Sequence, residues 1–75
     1  MNSTDLADQL AAELRRRGHT ITPDGRVTLA AAALVLGKAE GTLRNWRSAG
    51  QGPLTYKIAG TVTYRLADLV KFIEA

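Results

Sequence analysis

The 75-residue chain has no cysteine and a single histidine, His19. That excludes a disulfide scaffold and thiolate chemistry, and leaves too few nitrogen and sulfur ligands for a zinc finger or a catalytic zinc cage. No metal, cofactor or redox role is expected. Aromatic residues number four: Trp46, Tyr56, Tyr64 and Phe72. All four are expected in the core, which argues against a single-strand nucleic-acid reader that exposes aromatics as stacking platforms. Long apolar runs are missing too. The longest, Leu29 to Leu36, has eight residues, where a membrane helix needs about 20. Without a cysteine nucleophile, a phosphate loop of Walker spacing or a His-centred triad, no enzyme is expected and no catalytic residue is assigned. The length suits one small core, read as a short complete gene product that is soluble and cytoplasmic.

Charge is unevenly spread. Ten Lys and Arg against seven Asp and Glu leave +3, divided as −3 over residues 1–14 (Asp5, Asp8, Glu13 and no base) and +6 over the remainder. Residues 38–65 hold five basic side chains and one acid. The basic portion is where a polyanion would bind.

Periodicity divides the chain into elements. Leu6, Leu10 and Leu14 recur every four residues, Ser3 or Thr4 can cap, and Gly18 follows the last periodic position, so residues 4–17 read as an amphipathic helix. Its leucines bury against the domain's own core or form a seam for a dimer or protein partner. Arg15, Arg16 and Arg17 suit the helix C-terminal dipole, with phosphate contact as a secondary role. Thr20 to Thr28 reads as a short hairpin or extended connector, with the loop Pro23–Gly25 placing Ile21 opposite Val27. Thr28 can cap an Ala-rich helix over 29–36 that Gly37 stops, and a further helix over 40–48 ends before Gly50-Gln51-Gly52-Pro53. Two short helices across a Gly-containing turn make a helix-turn-helix candidate.

From Leu54 the period becomes two. Residues 54–65 read as a hairpin, or wing, in which a three-residue loop 59–61 pairs Ile58 with Val62 and Tyr56 with Tyr64. Both tyrosines then face inward, and the outer face shows Lys57, Thr63 and Arg65. Asp68 lies in the first turn of a closing helix whose stripe is Leu69, Phe72 and Ile73.

The segment from Val27 to Ala75 resembles the excisionase-like, MerR-related winged helix-turn-helix family, which includes small phage and prophage regulators. The landmarks are Leu36-Gly37, Thr42-Leu43, Trp46-Arg47, Gly50-Gln51-Gly52-Pro53, Lys57-Ile58, Val62-Thr63-Tyr64-Arg65, Asp68-Leu69 and Phe72-Ile73. The resemblance implies an α+β, mostly α, winged helix-turn-helix at 27–75. Residues 1–26 are an additional helix and connector, packed on that domain or extending it. Two departures stand out: Ala39 where the family has a Ser or Thr cap, and Gly41 in the first turn of the presumed recognition helix. Each costs about 1 kcal/mol, so the start of this helix is expected to be weakly held.

At 100° per residue, with Leu43 and Trp46 inward, the opposite side of the 40–48 helix presents Gly41, Arg44, Asn45 and Ser48. Arginine pairs with guanine and asparagine with adenine in bidentate fashion, so Arg44, Asn45 and Ser48 are the candidate base contacts, Arg44 foremost. Lys38, Gly41, Thr42, Arg47, Lys57, Thr63 and Arg65 are candidates for the backbone or minor groove. Leu43, Trp46, Tyr56, Tyr64 and Phe72 are the expected core. The expected activity is sequence-specific double-stranded DNA binding near the bacterial nucleoid, as a dimer or cooperative assembly, by a transcriptional regulator or by an architectural factor of DNA recombination. Alternatives are the DNA-recognition domain of a phage packaging subunit, or a protein-interaction module that docks its partner through helix 4–17.

Overall fold

Backbone caps define the central helices as their residues dictate. A computed structural model describes residues 3–74, with side chains from residue 5 onward. Thr28 is extended (φ −76°, ψ 168°) and its Oγ1 accepts the Ala31 amide at 3.3 Å, opening α2 (Leu29–Leu36). Gly37, at φ 67°, closes that helix by donating its N–H to the Ala33 and Leu34 carbonyls. After a three-residue turn, α3 (Glu40–Ser48) follows, and the Gln51 amide caps it by donating to the Trp46 carbonyl at 2.7 Å. In front of these lies α1 (Ser3–Arg16), ended by Gly18 at φ 89° with the His19 amide bonded to the Leu14 carbonyl. The expected cap at Ser3 or Thr4 lies outside the described side chains.

Three strands complete an α+β architecture of four helices: β1 (Arg26–Val27), β2 (Tyr56–Ile58) and β3 (Thr61–Arg65), antiparallel in the order β1-β3-β2, followed directly by α4 (Leu66–Glu74). The 20–28 segment is not a hairpin of its own. Its turn exists, with the Gly25 amide on the Thr22 carbonyl and the Thr22 amide on the Arg26 carbonyl. The strand that leaves it, however, pairs with β3, Val27 opposite Tyr64, because both side chains can be buried there, at 2% and 1% exposure. Ile21 packs half-buried against the core instead of pairing with Val27.

One cluster unites Leu14 of α1, Val27, Ala31–Ala33 of α2, Leu43 of α3, Tyr64 of β3, and Leu66 and Leu69 of α4. The alanines have no bulk to hold neighbouring elements apart, so α2 packs closely against α3, α4 and β3. Because α1 lies on α4 and contributes Leu14 to this cluster, residues 1–26 and 27–75 share a core. Among the described residues no helix is long and apolar enough to cross a membrane.

Three sequence expectations are corrected. The β2–β3 register is Tyr56 with Thr63, Lys57 with Val62 and Ile58 with Thr61, joined by the two-residue turn Ala59–Gly60. Both turn residues have positive φ (49° and 81°), the geometry whose twist matches that of the strands it joins. A one-residue change of register moves a strand's side chains to the other face. Tyr56 and Ile58 therefore share the face of Thr63 and Arg65, and only Tyr64 is a core tyrosine. Finally, Phe72 is 40% and Ile73 46% exposed; the stripe of α4 that is buried is Leu66, Leu69 and Val70, the i, i+3, i+4 row. Phe72 instead lies against half-buried Trp46, ring centroids 5.7 Å apart.

Candidate nucleic-acid interface

Leu43, 1% exposed, and half-buried Trp46 fasten α3 to the body, which turns Gly41, Arg44, Asn45, Arg47 and Ser48 to solvent. Thr42 is half-buried at the margin, and Lys38 is exposed in the turn before the helix. Arg44 and Arg47, one turn apart, line a groove of about 130 Å³ with Leu29, Val62 and Tyr64, between α3, the start of α2 and β3. Lys57 stands opposite Val62 and so on the same face of the sheet. The corrected register thus brings Lys57 to the side of the two α3 arginines and removes Thr63 and Arg65 from it.

Electrostatics here is open to exchange. Arg44 Nη2 lies 3.5 Å from Glu40 Oε1, one helical turn back, with side chains 62% and 49% exposed. Such a surface pair is worth about 0.3–0.5 kcal/mol, so it holds the Arg44 guanidinium only weakly. Burial pushes the Tyr64 phenol above its ordinary value, while the positive charge of Arg47 opposes that shift. Ala39 has cap-like extended geometry (φ −73°, ψ 151°) but no side-chain cap bond, and the space above Gly41 is open.

On the other sheet face, Thr63 spends its hydroxyl on the Tyr56 carbonyl at 2.8 Å. The Tyr56 hydroxyl donates to Asp68 Oδ2 at 2.8 Å, which raises the phenol's pKa. Arg26 and Arg65 each place the guanidinium carbon 5.0 Å from the Tyr56 ring centroid. Asp24 accepts from Thr22 and from Arg26 Nε (2.6 Å), and these bonds, Thr22's first, hold its carboxyl below the usual range. Nothing local in the sequence signals this cluster: Arg26 meets Arg65 through strand pairing across 39 positions.

On α1, Glu13 bonds Arg17 at 2.8 Å and also Arg16, and the Arg17 bond foremost lowers its pKa. Two members of the arginine run are therefore engaged within the helix end itself. Leu14 is 2% exposed and unavailable for a seam, Leu10 packs on the core, and Leu6 is half-buried. Among the described residues no group of three His, Cys, Asp or Glu could hold a metal ion.

The chain matches no protein-family model, no curated protein and no solved structure.

Proposed function

We propose that the protein is a sequence-specific double-stranded DNA-binding protein of winged helix-turn-helix type, with α3 in the major groove and the β2–β3 hairpin as its wing. The observation that supports this reading is the shared placement of Arg44, Arg47 and Lys57 on one side of the molecule, beside exposed Asn45 and Ser48. Arg44 and Asn45 supply the forked donor and amide chemistry that distinguishes base edges, each good pair discriminating by about 1–3 kcal/mol. Lys38, Arg47 and Lys57 supply phosphate contacts, and open Gly41 admits the sugar-phosphate chain.

Selection of bound duplexes from a random pool at about 150 mM salt tests the reading, with Arg44→Ala in parallel. A recovered motif that relaxes in the variant is the expected result. With about three cations on phosphates the salt exponent is near −2.7, so affinity falls roughly fortyfold between 50 and 200 mM salt. No enrichment with a flat salt response overturns it. Inverted half-sites would indicate a dimeric regulator, and direct repeats with bending a cooperative architectural factor.

A further inference from the structure

The outer face of the sheet carries a second cluster of positive charge that the DNA reading does not use. Arg26 and Arg65 are direct cross-strand partners, so their side chains leave the same face of the sheet side by side. Like charges directly opposed in an antiparallel pair are unfavourable. Here both guanidiniums converge on one tyrosine ring, each 5.0 Å from its centroid. The ring is fixed in turn, since its hydroxyl is held by Asp68.

Neutralisation of the pair is incomplete. Arg26 commits Nε to Asp24 and is otherwise clamped, its side chain 15% exposed. Its terminal nitrogens donate to no described residue, and no described carboxylate pairs with Arg65. Asp68 accepts the tyrosine hydroxyl and forms no ion pair with either guanidinium. Two forks that meet the same ring therefore keep donors unspent. Arg65 also lines a groove of about 520 Å³ between α1 and the 22–25 turn, with Asp8 and Arg15 on the α1 wall and Thr22 and Asp24 on the turn; Arg26 and Tyr56 lie outside its lining.

We infer that Arg26, Tyr56 and Arg65 form an oxyanion site for a phosphate-class group, on the sheet face opposite α3. The tyrosine is a platform that holds both forks in register, and the anion relieves the repulsion between them. The site stands apart from the DNA reading, because none of its three residues lies on the Arg44–Arg47–Lys57 side. Its phosphate has two sources, a duplex backbone or a free phosphorylated small molecule.

The test is an NMR titration of the full chain with inorganic phosphate, following the Arg Nε–Hε signals, repeated for Arg65→Gln, Arg65→Lys and Arg44→Ala. Saturable shifts at Arg26 and Arg65 are expected, with affinity reduced about tenfold or more in Arg65→Gln. Arg65→Lys should recover only part of it, because the charge remains but the fork is gone. Arg44→Ala should titrate as the parent does. Unsaturable shifts spread over all basic side chains, or a titration unchanged in Arg65→Gln, overturns the site. Adding a duplex then separates the sources. Displacement of phosphate, with the salt exponent lowered by about 0.9 in Arg65→Gln, assigns the site to the DNA backbone; retained phosphate assigns it to a small molecule. A chain that binds phosphate here but no duplex at all would refute the DNA reading and leave this site standing.

Discussion

A Cβ added at Gly52 would sit 2.9 Å from Trp46 Cε3 and 3.1 Å from Trp46 Cβ, so the chain leaving α3 is pressed directly onto the tryptophan. Gly52 also has φ +81°, a conformation that L side chains rarely adopt. Both features require glycine. Gly52→Ala is expected to destabilise by about 3 kcal/mol, combining left-handed strain with overpacking. Gly60→Ala, at the same φ but with open space around it, should cost only about 1–2 kcal/mol. Urea unfolding of the two variants checks the difference, and equal losses would mean the Trp46 contact is unimportant.

The start of α3 can be strengthened. Ala39 already has the backbone of a capping residue, and Gly41 is helical with nothing within 4 Å of its added Cβ. Ala39→Ser and Gly41→Ala should each stabilise by about 1 kcal/mol. In a domain of this size each gain raises the melting temperature by about 4–8 °C, readable by circular dichroism.

Leu14 tests whether α1 belongs to the fold. Truncation to alanine at this 2%-exposed position should cost about 3 kcal/mol, through lost transfer energy and the cavity left behind. A loss below about 0.5 kcal/mol would show α1 to be an independent appendage.

The Tyr56–Asp68 bond gives a pH signature. Its phenol is raised in the folded chain, chiefly by donating to the carboxylate, so the neutral form is favoured by folding. The corresponding stability is fully present below the unfolded value near 10 and is lost as pH rises through the higher folded value. Tyr56→Phe should be the less stable protein at pH 7 and should lose less stability than the parent on going to alkaline pH. Denaturant midpoints across that range, with tyrosinate absorbance, measure it; parallel profiles would refute the assignment.

Much of the fold was legible because its signals are local. Thr28 before an Ala-rich run, Gly37 after it and Gly50 behind Trp46 mark α2 and α3 within a residue. The wing register differs by one residue from the one its pattern suggests, because period-two alternation groups Tyr56 and Ile58 with Val62 and Tyr64, whereas Ala59 at φ 49° makes a two-residue turn possible. The Ala-Gly pair carried the only hint. Phe72 looked internal from hydropathy alone, yet Leu66, one turn ahead of Leu69 and Val70, marks the row that is buried. Arg44, Asn45 and Ser48 are solvent-facing as the helical wheel requires. Arg26 meets Arg65 and Tyr56 only through tertiary strand pairing, which no local pattern around it signals.

The packing of the first helix on the last has a consequence for biosynthesis. Leu14 meets a core completed by Leu66 and Leu69, and β1 finds its partner only in β3. A nascent chain emerging from the ribosome can form α1 and pack α2 on α3, but the contacts that Leu14 and β1 make with α4 and β3 come only when those elements are made. Completion of the core is therefore postponed until α4 emerges, and α1 lacks its main packing partner until then.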